Sequence, residues 1–200
     1  SDPHEPLTIP MDRPIDSTRR TRPAPPPHTT AWATPYRAPM NGPTLLARWR
    51  KLGTSPLGRA MFSRALGAAV PYSGTIRPRV LELEAGRARV ELRDRRRVRN
   101  HLGSIHAIAL VNVGELVSGL ALIAALPPTM RGIVRGLSVE YLKKARGTLT
   151  ATCECAPPPE GESIDEEVVA RIHAAEGDEV ATVRVQWRLG PVKPKAGASR

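Results

Sequence analysis

The stretch RNHLGSIHAIALVNVGEL, residues 99–116, decides how the rest of the chain is read. It sets Asn100, His106, Asn112 and Glu115 into an otherwise apolar run. An ionised carboxylate in apolar surroundings is costly unless something pairs with it. A segment made only to be buried would not carry Glu115, so this residue calls for a partner or a task.

The apolar run continues. Residues 104–126 are rich in Ala and Leu, too long for a strand, and stop hard at Pro127-Pro128, which predicts one helix of roughly six turns. About 20 apolar residues can also cross a bilayer. Here His106, Asn112 and Glu115 interrupt the run and segments of period two flank it, which argues for a core helix and against a membrane span. A helix that is apolar all round must be wrapped by something.

Both flanks supply strands. TIRPRVLELEAGRARVEL, residues 75–92, sets Val80, Glu82 and Glu84 against Leu81 and Leu83, turns at Ala85-Gly86, and returns with Ala88, Val90 and Leu92 on one side, which predicts a hairpin. After the helix, residues 132–142, 147–156, 166–175 and 179–189 alternate or are β-branched, separated by Arg146-Gly147, by the segment 157–161 and by Glu176-Gly177-Asp178. The order is ββαββββ, with short turns implying antiparallel pairing of consecutive strands. Upstream, residues 43–53 and 57–69 read as two short amphipathic helices. The expected organisation is a Pro-rich disordered arm over 1–39, or an added extension upstream of a start at Met40, then N-terminal helices over 40–72, one α+β domain over 73–190 and a flexible tail over 191–200.

The net charge is +11. The arm holds five Arg against four acids, so most of the excess lies on the folded part, in RDRRRVRN (93–100) and in Lys143, Lys144 and Arg146. Such runs form a solvated face or meet a phosphate-bearing partner. Nucleic acid is the weaker partner class, because Phe62 is the single Phe and the three Trp and three Tyr do not cluster with the basic runs. Cys153 and Cys155 are the only thiols and lack further ligands at metal-site spacing, so no metal is expected and a reducing, cytoplasmic location is.

The order Asn100, Gly103, His106 and, nine positions on, Glu115 resembles the signature of hotdog-fold thioesterases of the phenylacetate-pathway type, in which Asn, Gly and His-Gly-Gly precede an acid on the central helix. VEYLKKARGTLTA, residues 139–151, is similar to the following strand and turn, and the likeness spans roughly residues 77–189. Three departures stand out: His106-Ala107-Ile108 replaces His-Gly-Gly, Glu115 replaces Asp, and no hydroxyl lies near Val134. The likeness is closest to a subgroup whose members mostly have no assigned reaction.

The resemblance implies a hotdog fold, a long helix wrapped by a curved antiparallel sheet, and hydrolysis of an acyl-CoA thioester with no cofactor beyond the coenzyme A of the substrate. Glu115 would activate water or attack the carbonyl, Asn100 would orient, His106 would hold the thioester, and the Ala107 N–H, at a helix start where amides lack intrahelical acceptors, would receive the oxyanion. Gly103, Arg99, Lys143, Lys144 and Arg146 complete the expected substrate-binding set. Nine helical residues turn His106 and Glu115 about 900° apart, onto opposite faces, in keeping with the homodimer or dimer of dimers that the resemblance implies. The lost glycines and missing hydroxyl favour an alternative, a non-catalytic acyl-CoA-binding or regulatory hotdog protein.

Overall fold

The computed structural model describes residues 41–192. The arm expected over 1–39, and all but the first two residues of the tail expected over 191–200, lie outside the described residues. Two capped helices come first. Asn41 Oδ1 accepts from the Thr44 N–H at 2.9 Å to start α1 (Gly42–Leu52), and Ser55 Oγ accepts from the Gly58 N–H at 3.1 Å to start α2 (Pro56–Ala69). Each cap satisfies an amide that has no intrahelical acceptor, and proline in the first turn sacrifices no bond. The helices meet where Trp49 packs edge-on against Phe62, ring centroids 5.1 Å apart. A single turn, α3 (Pro71–Gly74), follows.

The expected hairpin forms as β1 (Arg79–Glu84) and β2 (Arg87–Leu92), turning at Gly86 with φ +80°. The expected alternation in β1 does not hold. A bulge between Val80 and Glu82 shifts the register, so Val80 and Leu83 both enter the core and Leu81 is only half-buried. The extra residue flips everything beyond it to the other face.

The central helix, α4 (Ala107–Ala125), has 19 residues and starts three positions later than expected. Ser104 lies in a bend, and Ile105 and His106 are instead extended and tied down from outside the helix, with the Ile105 N–H on the Ala145 carbonyl at 2.8 Å and the His106 N–H on the Val98 carbonyl at 2.7 Å. At the other end Leu126 has ψ 134°, the extended backbone that a following proline imposes.

Strands β3 (Met130–Tyr141), β4 (Leu149–Glu154), β5 (Ile164–His173) and β6 (Glu179–Pro191) complete a six-stranded antiparallel sheet in the order β1-β2-β4-β5-β6-β3. Consecutive pairing therefore fails at one place. Strand β3 does not pair with β4 but lies beside β6 at the far edge, and β2 meets β4 directly. The chain leaves one side of the sheet at β2, crosses it as α4 and re-enters at the opposite edge. The sheet wraps the helix on its inner face, where Val183, Val185, Trp187 and Leu189 of β6 join Val113, Val117 and Ala121 of α4 in the core. By length and apolarity α4 could span a membrane, but it is mostly buried in this domain. Helix and sheet approach closely at Gly114, where a Cβ would stand 2.5 Å from Val183 Cγ2.

Candidate active site

The loop before α4 is organised by Asn100. Its Oδ1 accepts from the Leu102 N–H (3.0 Å), the Ser104 N–H (3.2 Å) and the Ser104 hydroxyl (3.3 Å), while its own N–H donates to the Ser104 carbonyl at 2.8 Å. Gly103 turns the loop with φ +68°, and a Cβ there would meet nothing, so backbone conformation and not space selects glycine. With the oxygen of Asn100 committed to its own loop, the amide Nδ2 is the group left to face a substrate or water.

His106 is the N-cap of α4. Its Nδ1 accepts from the Ile108 N–H at 3.1 Å. An accepting Nδ1 places the proton of the neutral ring on Nε2, and that edge of an exposed side chain can donate. The Ala109 and Leu110 N–H groups both turn back to the His106 carbonyl, at 2.9 and 3.3 Å. The Ala107 N–H has no acceptor among the described residues. It sits half-buried at the positive end of a five-turn helix whose first turn carries no acid to compete for it.

Because His106 caps the helix from outside, the angular count from His106 to Glu115 does not apply to its ring; the cap sets the ring's direction. The separation along the axis does apply. Ala107 and Glu115 are eight residues apart on α4, about 12 Å at the rise of an α-helix. One thioester carbonyl cannot take hydrogen bonds at the first residue and meet the carboxylate of the second within one chain.

Glu115 is half-buried, with no hydrogen bond or ion pair to its carboxylate among the described residues. Burial pushes its pKa above the usual carboxylate value. None of the arginines of RDRRRVRN pairs with it among the described residues: Arg99 Nε lies 2.5 Å from Asp94 Oδ1, Arg93 Nε 2.8 Å from Glu91, and Arg95 holds the Ile76 carbonyl. Glu115 shares the one open stripe of α4 with Ile108 and Val111, spaced as on a single helix face. Helix α4 also touches β3, whose helix-facing residues Leu137 and Tyr141 pair with Val185 and Ala181 yet are each 47% exposed.

Two bonds fasten the basic loop, residues 142–148, to the Asn100 loop. Besides the Ile105–Ala145 bond, the Gly147 N–H donates to Asp94 Oδ2 at 3.0 Å. The Arg99 hydrogen bond is the main reason the Asp94 carboxyl is held below its usual range. Sequence reasoning passed over Asp94, although it is the one acid in RDRRRVRN. Of the expected cations, Arg99 is committed to Asp94, and Lys143 Nζ reaches Asp178 at 2.8 Å on the β5–β6 turn. Lys144 and Arg146, on either side of buried Ala145, are exposed and have no ion-pair partner among the described residues.

Residues 58–189 match a family described as "Domain of unknown function (DUF4442)". No curated protein matches the chain. The crystal structure of the genomics target APC5556 is 30% identical, with a TM-score of 0.65 over 74% of this chain and 98% of that one. A Pseudomonas aeruginosa protein of unknown function, described as "Probable Thioesterase", is 21% identical with a TM-score of 0.59 over 76% and 99% of the two chains. A Streptococcus mutans protein bound to acetyl CoA is 18% identical with a TM-score of 0.50 over 58% and 91%. The helix wrapped by an antiparallel sheet is shared with these neighbours and is the hotdog fold of thioesterase-family proteins. With the family match over residues 58–189 and a 30% identical relative covered almost end to end, the chain belongs to the DUF4442 family.

Proposed function

We propose that this protein is a cytoplasmic acyl-CoA thioesterase whose site is completed by two copies of the chain. The observation that carries the reading is Glu115, a half-buried carboxylate without a partner, on the same helix whose N-terminus presents the unpaired Ala107 N–H. The thioester oxygen accepts from the Ala107 N–H and from His106 Nε2–H, which stabilises the charge that develops there. Glu115 of the second copy takes a proton from water as the water attacks the carbonyl, or attacks the carbonyl itself and forms an anhydride that water then opens. Asn100 Nδ2 orients the attacking water. The thiolate of coenzyme A leaves and takes up a proton. Lys144 and Arg146 lie where the loops join and hold phosphates of the coenzyme. Acetyl CoA bound by the Streptococcus mutans neighbour supports this choice of ligand.

A thiol-release assay across short, medium, long and aryl acyl-CoAs tests the proposal, with Glu115→Gln as the control that lowers turnover about a hundredfold or more. Ile108 favours a second reading, because it fills the last position of the His-Gly-Gly pattern with a side chain 52% exposed at the helix start. Acyl-CoA binding by calorimetry without thiol release from any substrate would establish that reading, a non-catalytic acyl-CoA-binding protein.

A further inference from the structure

A second cationic site lies away from α4. Helices α2 and α3 and the entry to β1 border a cleft of about 770 Å³ into which Arg64, Arg77, Arg79, Arg93 and Arg95 converge. The volume is that of a small-molecule site. Among the described residues, the one carboxylate paired with these five arginines is Glu91, 2.8 Å from Arg93 Nε and 3.9 Å from Arg79 Nη1. Arg79 Nε is buried with no acceptor. Arg95 is half-buried, and its pKa is pressed down by burial first and then by the charges of Arg77, Arg93 and Arg97.

Like charges gathered this closely disfavour the fold unless an anion sits among them. The backbone carries a second sign of constraint. Arg77 is the single described non-glycine residue with positive φ, at +49°, a conformation that L side chains adopt at a cost. That strain falls on the wall of the cleft. The segment 93–95 also separates this cleft from the candidate active site. Arg93 and Arg95 line the cleft, while Asp94 between them reaches Arg99 and Gly147, as alternation along an extended chain requires.

We propose that this cleft binds a small anion carrying two or more phosphates, of the pyrophosphate or nucleoside-diphosphate class, gripped by arginine forks. Guanidinium groups pair with phosphate oxygens two at a time, and a diphosphate presents enough oxygens to engage several arginines at once. The inference stands apart from thioester hydrolysis, since its readout is binding alone.

Pyrophosphate and ADP are titrated into the full-length protein by calorimetry at about 0.15 M salt, where surface attraction is largely screened. Saturable binding is expected, weakened about tenfold or more in Arg64→Ala/Arg93→Ala, as for loss of charge-assisted bonds. Both side chains are exposed, so the variant is expected to fold. Arg77→Gly is the second variant. It removes a guanidinium while glycine adopts the left-handed backbone freely, and it should weaken binding while leaving the melting temperature level or higher. Coenzyme A displacing pyrophosphate would support the proposal with its nucleotide end as the occupant, and coenzyme A failing to displace it would support a free nucleotide. Absence of saturable pyrophosphate and ADP binding, or binding unaltered in both variants, would overturn the proposal. So would steeply salt-dependent binding of a single-stranded oligonucleotide without pyrophosphate binding, which would assign the arginines to nucleic acid.

Discussion

The Ile105 N–H donates to the Ala145 carbonyl at 2.8 Å, and this bond fastens the loop that carries Asn100 and His106 to the loop that carries Lys144 and Arg146. Asp94 adds a second fastening by accepting from the Gly147 N–H and from Arg99. Two segments about forty residues apart in sequence thereby hold one arrangement, with the unpaired Ala107 N–H beside one and Lys144 and Arg146, which have no ion-pair partner among the described residues, on the other.

Steady-state kinetics should register that arrangement. Lys144→Ala with Arg146→Ala is expected to raise KM for acyl-CoA about tenfold while leaving KM for the matching acyl-pantetheine nearly unchanged, because the truncated substrate has no phosphates to lose. Lys143→Ala should do little to either, since its ammonium is already paired with Asp178 at 2.8 Å. Equal losses on both substrates would assign the two cations to the fold.

Glu115→Gln should lower turnover about a hundredfold or more, as loss of a general base does, and yet stabilise the protein at pH values above the raised pKa of Glu115. Burial raises the Glu115 pKa, so the folded state binds the proton more tightly than the unfolded state. The stability this adds is fully present below the ordinary glutamate value and is lost as pH rises through the raised value, above which the buried charge weighs against folding. Melting curves of the two proteins should coincide at acidic pH and separate in favour of the Glu115→Gln variant as pH rises through the raised pKa of Glu115. The wild-type kcat/KM should fall on the acid side with an apparent pKa above that of a free glutamate.

Co-expression tests the shared site. Asn100→Ala and Glu115→Gln, each strongly impaired alone, should recover part of the activity in mixed oligomers, because about 12 Å of helix separates Ala107 from Glu115 and the proposed site draws on two chains. Light scattering should give a multiple of 21.7 kDa. A mass of one chain under active conditions would exclude this arrangement.

Gly114→Ala probes the seat of α4 on the sheet. The added methyl would stand 2.5 Å from Val183 Cγ2 and 2.7 Å from Val183 Cβ, an overpacking that should cost about 1–3 kcal/mol. Denaturant unfolding measures the loss. Adding Val183→Ala should recover part of it, as coupled neighbours do.

The sequence by itself determined the kinds of element and where most of them turn. Pro127 ends α4, Gly86 turns the hairpin, Asn41-Gly42-Pro43 and Ser55-Pro56 open two helices, and alternation marks β5 and β6. Each follows from side-chain period, backbone freedom or a cap within a few residues. The spacing of Asn100, Gly103, His106 and Glu115 carried the resemblance to hotdog thioesterases for the same reason, since it lies within one loop and one helix.

Only the tertiary structure decided what rests on contacts between distant segments. Which strand lies beside β3, the bulge that turns Leu83 inward, the late start of α4 and the commitments of Arg99 to Asp94 and Lys143 to Asp178 belong to that class. The convergence of Arg64 from α2 with Arg93 and Arg95 beyond β2 belongs there too. A period read along the chain constrains which face a residue occupies. It does not say which other segment will stand against that face, because that choice is made by packing and hydrogen bonding across the whole sheet.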